Sequence, residues 1–319
     1  MGQSQFDAGP RQAPACLGLS VFKPCSWWRT QCRDLLELFV LPSIAALLPW
    51  RVSFAIYKLL AKLPSLYKSS NEASLPWVKQ SFPQLDEKLW CYQRRLTTLV
   101  DHADWVLSLT RSDHWIQKHV KAQGRWPDGH TPQLICTFHW GAGMWTLPAM
   151  QKAGLRVNAL AASLDPRHFV GRPILHWYAR SRTAQVVKAL GRPTIDVSAS
   201  MRPVLKAIQR QESLLGVIDV PSDNFESSMQ IDLLGHKAHV PLGLLRLAVE
   251  KQLPVTLFMA GLNLETGQRQ WMIHNLGIFK DLQVLTSTAF LYLEQGITAT
   301  PSAWHLWSEM PRFIHKQQD

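Results

Sequence analysis

The residue of this chain that is best placed to do chemistry is His139. It ends the apolar run QLICTFH (133–139), which predicts a buried strand, and it precedes Trp140, Gly141 and Gly143. Reactive side chains in α/β proteins gather where parallel strands end. The small residues leave room for a substrate, and backbone N–H groups at the next helix start are expected to be free to stabilise an oxyanion. His139 is therefore a candidate general base, with a purely structural histidine as the alternative.

The elements around His139 predict an α/β protein. Short apolar runs alternate with helical segments, which is typical of a sheet with parallel strands. A further run at 270–279 follows a turn and predicts an antiparallel strand. We therefore expect a mixed central sheet flanked by helices. The predicted strands are 133–139, 157–162, 213–220 and 254–262, and the helices between them lie near 141–153, 171–190, 199–211 and 241–252.

The region before this core is apolar and broken by proline and charge. Residues 34–64 contain no apolar run of the roughly 20 residues that span a bilayer. Within them, residues 52–63 mix apolar and basic side chains, as in a helix that lies in the headgroup plane, although a buried helix pair is the alternative. The serine-rich stretch 66–84 predicts a connector, and residues 86–123 predict a helical stretch.

These patterns divide the chain into three parts. We expect a loosely ordered leader at 1–33, a helical, membrane-associated region at 34–125 and an α/β core at 126–319. With 46% hydrophobic residues, the chain can bury a large core. Five cysteines without a Cys-x-x-Cys pair favour a reducing compartment.

The charge of the chain is strongly positive and unevenly distributed. The formal net charge is +11, and residues 151–210 hold eleven basic residues against only Asp165 and Asp196. Such a field favours anionic lipid, an acidic carrier protein or nucleic acid. No nucleic-acid recognition motif accompanies it, and no glycine-rich nucleotide motif is present. The histidines lack metal-like spacing, so we predict no metal, no cofactor and no nucleic-acid partner.

Several short motifs, in order along residues 35–312, resemble the bacterial lipid A late (lauroyl/myristoyl) acyltransferases of the lysophospholipid acyltransferase superfamily. Around His139, the stretch FHWGAGMW is similar to the family's His-Phe-Gly-Asn-Trp-Glu sequence in the His, the aromatic residue and the Gly. The other similar segments are LPWR (48–51), Arg172-Pro173 with Arg180 and Arg182, GVID (216–219), the LGHKA loop (234–238) with its following helix, and PSAWHLW (301–307).

The resemblance implies a fold, a reaction and a set of site residues. It implies a glycerolipid acyltransferase-like core in which His139 deprotonates an acceptor, with Trp140, Gly141, Gly143 and Gly235 near the substrate. Arg180 and Arg182 are the arginines that we expect to contact an anionic group, because guanidinium groups match phosphates well.

The chain departs from the family where its carboxylate partner should stand. The family has an acid five residues after the histidine, whereas this chain has Met144. Either another acid replaces it, with Asp219, Asp223 and Asp165 as candidates at predicted strand ends, or the site has drifted to binding without efficient turnover. A carboxylate matters because it fixes the tautomer of the base and stabilises its protonated form.

The sequence therefore predicts a peripheral enzyme of lipid biosynthesis at the cytoplasmic face of a bacterial inner membrane. It would move an acyl group from an acyl carrier protein or CoA thioester to a hydroxyl or amine of an amphipathic acceptor, such as a lipid A, secondary-metabolite or pigment precursor. The alternative is a catalytically weak or inactive protein that binds lipid or acyl chains on the same fold.

Overall fold

In the part of the chain that the structure describes, nine strands form one large sheet and one hairpin. A computed structural model describes residues 24–161, 164–197, 200–222 and 227–314. The strands are β1 (Val120–Gln123), β2 (Leu134–Thr137), β3 (Val157–Ala161), β4 (Ile195–Asp196), β5 (Ser213–Val217), β6 (Ser228–Leu233), β7 (His236–Pro241), β8 (Val255–Leu262) and β9 (Arg269–Gly277). The large sheet has the order β1-β9-β8-β2-β5-β3-β4, and β6 pairs with β7.

The large sheet is mostly parallel, as the sequence predicts. Strand β2 pairs in parallel with β8 on one side and with β5 on the other, whereas β8 and β9 are antiparallel. The prediction of an α/β protein with a mixed central sheet is therefore confirmed. The two edge strands β1 and β4 and the β6–β7 hairpin were not predicted.

Helices cover both faces of this sheet. They are α7 (Thr146–Lys152), α8 (Pro173–Leu190), α9 (Arg202–Gln209), α10 (Gly243–Glu250), α11 (Leu282–Ala299) and α12 (Met310–Ile314). Side chains alternate along a strand, so Leu134 packs in the cluster that includes residues of α9, α10 and α11, whereas Ile135 packs in the cluster that includes residues of α7 and α8. The helix predicted from residue 141 begins later, because residues 141–145 form a turn.

The first hundred described residues are almost entirely helical. The helices are α1 (Pro24–Leu35), α2 (Leu41–Leu47), α3 (Trp50–Leu60), α4 (Lys68–Ser81), α5 (Glu87–Thr110) and α6 (Asp113–His119), and a π-helical turn (Leu36–Val40) joins α1 to α2. The connector predicted at 66–84 is wrong, because most of it is α4. The helical stretch predicted at 86–123 divides into α5, α6 and β1. In the described part of the chain, no helix combines the length and apolar character needed to cross a membrane.

A buried ion pair fastens the helical region to the sheet. Arg269 of β9 and Asp104 of α5 form this pair, and both side chains are completely inaccessible to solvent. The guanidinium group of Arg269 also lies 3.8 Å from the ring centre of Trp50 in α3. Separating the two charges would leave each of them buried and uncompensated, which is costly. The pair and the Trp50 contact therefore hold α3, α5 and β9 in one arrangement.

Candidate active site

The register of two parallel strands brings His139 next to Asp219. Thr137 at the end of β2 pairs with Val217 at the end of β5. His139 and Asp219 each lie two residues beyond these partners, so they leave the sheet side by side. The distance between His139 Nδ1 and Asp219 Oδ1 is 3.0 Å. An acid that follows β5 therefore lies where it can assist the histidine.

Three groups donate hydrogen bonds to the Asp219 carboxylate, which is fully buried. The backbone N–H of His139 lies 2.9 Å from both carboxylate oxygens, and Trp304 Nε1 donates to Oδ2 at 2.8 Å. A carboxylate only accepts hydrogen bonds, so Nδ1 of His139 must carry the proton. The opposite nitrogen, Nε2, is then unprotonated in the neutral ring and has no partner among the described residues.

The environment of His139 favours its protonated form. Burial by itself would lower the pKa of the imidazole, but the negative charge of Asp219 and the hydrogen bond to Nδ1 outweigh burial and raise the pKa above 6.5. The side chain keeps 40% of its exposure. A ring with a fixed tautomer, an accessible Nε2 and a raised pKa has the properties of a general base.

A C-terminal segment closes over the strand ends. The backbone N–H of His305 donates to His139 O at 2.8 Å, and that of Gly141 donates to Ala303 O at 2.9 Å. Arg94 of α5 is almost fully buried and holds this segment, because it donates to Trp304 O at 2.7 Å and to His305 O at 3.0 Å. The helical region thus supports the site through one arginine.

His305 is a second histidine at the site, and it is neutral. Arg94 Nη1 lies 3.3 Å from Nδ1, which must accept because a guanidinium group only donates. Nε2 therefore donates to Gly141 O at 2.7 Å. Burial and the charge of Arg94 lower the pKa of His305 to about 3. His305 positions the Gly141 turn and does not titrate near neutral pH.

The turn after His139 does not leave all its N–H groups free. Gly141 has φ +57, and a Cβ there would overlap the carbonyl oxygen of Ala260, so glycine is required. Its N–H bonds to Ala303 O, and the N–H of Ala142 bonds to Ala260 O at 2.9 Å. The expectation of free N–H groups is thus wrong for these two residues and for His139, whose N–H is used by Asp219.

A cavity of about 460 Å³ opens beside His139, and Trp140 and Gly143 also line it. It lies between the sheet and helices α7 and α8. Its sheet side is lined by short or modest side chains, and a cavity of this size falls within the range of small-molecule sites. The sheet-side and helix-side residues include Thr137, Ala159, Val217, Leu147 and Val186.

Arg182 lies in this cavity, but its charge is already compensated. It forms a two-pronged ion pair with Asp101, with N–O distances of 2.7 and 3.1 Å, and also donates to the Tyr178 hydroxyl at 3.0 Å. Burial would raise the pKa of Asp101, but Arg182 outweighs burial and lowers it to about 2. Of the five N–H groups of a guanidinium, two remain without a partner among the described residues.

Arg180 faces a neighbouring cavity. It is exposed and lines a second space of about 450 Å³ together with His176 and Asp196. The two cavities share Ala161, Thr183 and Thr194 as lining residues, so they are adjacent. Gly235, in contrast, lies in the turn between β6 and β7 with φ +79, outside the residues that line either cavity.

The basic segment 151–210 is more neutral than its sequence indicates. At least six of its eleven basic residues form ion pairs, mostly with acids outside the segment. Three arginines meet at Glu212, which is nearly buried. The pairs are Arg156, Arg192 and Arg210 with Glu212, Arg167 with Asp165, Arg172 with Asp34, and Arg182 with Asp101.

Of the other two candidate acids, Asp165 bonds to another partner and Asp223 cannot be compared. Asp165 caps a short 3₁₀ turn (Pro166–Phe169) and bonds to Arg167. Asp223 lies outside the described residues. Met144 is buried in an apolar cluster and also lines the cavity beside His139. Of the two described candidates, Asp219 is the one in contact with His139.

Four residues of the site were not assigned to it from the sequence. Trp304 lies within the PSAWHLW segment, which marked the C-terminal part but gave no role to the indole. His305 lies in the same segment and was likewise given no role. Arg94 and Asp101 had no local signal, because they come from a long helix that only the tertiary fold brings to the strand ends. In the described ranges, no group of three or more His, Cys, Asp or Glu side chains has the arrangement of a metal site.

Replacing Asp219 with Asn tests the pairing with His139. The amide preserves the shape of the carboxylate but removes its charge, so the pKa of His139 should fall. If the site performs acyl transfer, we expect kcat/KM to drop by roughly 10²- to 10⁴-fold and the midpoint of its pH profile to move to lower pH. A profile that keeps its midpoint would show that Asp219 does not act on the base.

Replacing Met144 with Glu tests whether the site still needs an acid at the family's position. The new carboxylate would enter an apolar cluster, so we expect the free energy of unfolding to fall by about 2 kcal/mol or more and activity not to rise. Thermal unfolding and turnover measure the two effects, and Met144→Leu is the matched control. A tenfold gain in rate, about 1.4 kcal/mol of barrier, contradicts a functional Asp219.

Comparisons with known proteins give no indication of function. No family model matches the chain, and no curated protein matches it significantly.

Proposed function

We propose that this protein is an acyltransferase in which His139 is the general base and Asp219 its carboxylate partner. The observation that carries the proposal is the hydrogen bond between His139 Nδ1 and the buried Asp219, which directs the unprotonated Nε2 away from the carboxylate beside a largely apolar cavity. A base at the edge of an apolar cavity suits a reaction between a hydroxyl or amine and an acyl thioester.

The reaction follows from the protonation states of the pair. Nε2 of His139 takes the proton of the acceptor hydroxyl or amine while the acceptor atom bonds to the thioester carbonyl carbon. The carbonyl electrons move to oxygen and form a tetrahedral intermediate. When they return, the carbon–sulfur bond breaks and the thiolate takes the proton from the imidazolium. Asp219 stabilises this imidazolium, as its effect on the pKa of His139 indicates.

Arg182 is the group that we assign to the negative oxygen of the intermediate. The backbone N–H groups of His139, Gly141 and Ala142 are occupied, whereas Arg182 lines the same cavity and retains unused N–H groups. Its pair with Asp101 holds the guanidinium in place before substrate arrives. Preorganised donors of this kind are often the largest contribution to catalysis.

The donor and acceptor are proposed from the cavity and from the resemblance of the motifs. The apolar side chains around the cavity suit an acyl chain, delivered as a thioester of acyl carrier protein or CoA. An amphipathic acceptor would reach Nε2 at the cytoplasmic face of a bacterial inner membrane. Because many arginines of segment 151–210 are paired, an acidic carrier protein would meet a weaker positive field than the sequence predicts.

The second candidate function is acyl-chain binding without turnover, which Met144 favours because it removes the family's usual acid. Binding without turnover gives no role to Asp219, the acid that fixes the tautomer of His139. Purified protein incubated with an acyl thioester separates the two functions: the enzyme consumes thioester steadily, whereas the binding protein retains the chain unchanged.

We expect His139→Ala to abolish acyl transfer while the fold remains intact. The side chain is partly exposed at the cavity, and Asp219 keeps the backbone N–H of residue 139 and Trp304 Nε1 as donors, so thermal unfolding should change little. A base normally supplies a factor of roughly 10² to 10⁴. Turnover of an acyl thioester and circular dichroism measure the two effects, and His130→Ala, at an exposed histidine, is the control. Near-native turnover in the His139 variant rules out the proposed base.

We expect Arg182→Gln to lower kcat more than it raises KM, because the guanidinium would act on charge that develops after the substrate binds. The loss should be about 10²-fold or more. Arg192→Gln removes another partly buried, paired arginine outside the cavity and should leave kcat unchanged. Equal kinetic losses in both variants would indicate a structural role for Arg182.

A further inference from the structure

Large apolar side chains project into solvent along the first helices. From Pro24 to Leu47, α1, the π-helical turn and α2 follow one another without a break. Leu36, Val40 and Leu47 are separated by four and seven residues, which keeps them on one side of a helix. They are 45%, 51% and 81% exposed. Exposed apolar side chains on a common face mark an interaction surface.

The start of α8 extends this surface. Val170 is 71% exposed and Trp177 57% exposed, and the ring of Trp177 stacks on Phe39 of the π-helical turn with centroids 4.4 Å apart. Gln31 of α1 donates to Gly171 O at 2.8 Å. These contacts fix the two parts together. We call Leu36, Val40, Leu47, Val170 and Trp177 the docking face.

Basic side chains accompany the docking face. Arg29 and Arg33 are exposed on α1 and precede Leu36 by seven and three residues, so they continue its side of the helix toward the N-terminus. Arg180 is exposed one helical turn beyond Trp177. Apolar side chains with an aromatic ring and basic residues on the same surface are typical of proteins that lie on a bilayer.

We propose that the docking face binds an anionic lipid bilayer and that the cavities open beside it. This inference rests on the proposed function, because it gives the route by which a lipid-like acceptor reaches His139. His176 and Arg180, which line the outer cavity, flank Trp177 on α8, and the outer cavity is adjacent to the cavity of His139, with three lining residues in common. An acceptor anchored in the bilayer could enter without leaving the lipid surface.

Other occupants fit the docking face less well. In a two-fold dimer, the docking faces of two copies would meet each other. The arginines of both copies would then lie at one interface, where like charges repel. An acidic protein would pair with the arginines but would leave the leucine, valine and tryptophan side chains exposed to water. Anionic lipid satisfies both groups, since headgroups attract the arginines and the acyl region accepts the apolar side chains.

The docking face also contacts the residues that position Arg182. The Phe39 ring lies 5.6 Å from that of Tyr178, and the Tyr178 hydroxyl accepts a hydrogen bond from Arg182. The side chains of Phe39 and Tyr178 therefore link Trp177, where lipid contact is proposed, to Arg182 on the cavity wall. One packed aromatic cluster, formed by Trp177, Phe39 and Tyr178, thus connects the docking face with Arg182.

Vesicle flotation of the full chain tests the proposal. We expect binding to vesicles of phosphatidylcholine with phosphatidylglycerol, weaker binding to phosphatidylcholine alone, and about a tenfold loss of binding for Val40→Asp. The matched control is Leu291→Asp, which is 50% exposed on α11, a helix that covers the other face of the sheet. Its binding should equal that of the unaltered protein. Consumption of soluble acyl-CoA should be the same in both variants.

Three results would overturn the docking face. These are equal binding by Val40→Asp and the unaltered protein, loss of binding in Leu59→Asp on α3 without loss in Val40→Asp, and a dimer that Val40→Asp converts to a monomer. Failure of the proposed function looks different, because the unaltered protein would then bind vesicles but consume no acyl thioester.

Discussion

The site depends on a carboxylate that has no access to water. Asp219 is completely buried, and a buried charge is tolerated only when hydrogen-bond donors surround it. Its donors come from two distant parts of the chain: the backbone and ring of His139 and the indole of Trp304. The need to satisfy this one charge fixes the imidazole and draws the C-terminal segment over the strand ends.

The helical region completes that arrangement through α5, which contributes the buried Arg94 and binds the buried Arg269 of the sheet. Arg94 holds the carbonyl groups of Trp304 and His305, and Arg269 reaches from the sheet to Asp104. Both interactions involve α5, so this helix supports the site from the segment 34–125 that the sequence separates from the core. The boundary at residue 125 describes a change of secondary structure, because strand β1 just before it pairs with β9 of the core.

Local sequence patterns predicted the central part of the fold and the two main residues of the site. Buried strands ending near His139 and Asp219 were recognisable as apolar runs, and acids at strand ends were the natural candidates for the missing carboxylate. Edge strands were not recognisable, since β4 has two residues and β1 is mostly exposed. Arg94, Asp101 and His305 depend on contacts between segments up to 211 residues apart, which no local pattern encodes.

The acid beside His139 follows strand β5, whereas the family that the chain resembles has its acid in one short motif with the histidine. In that motif, the residue five positions after the histidine supplies the carboxylate. Here, ladder hydrogen bonds between β2 and β5 set the spacing of the pair, so position 144 is released from that duty and carries an apolar side chain on the cavity wall. The cavity wall can then change through mutation, and the shape of the cavity with it, without disturbing the contact between His139 and Asp219.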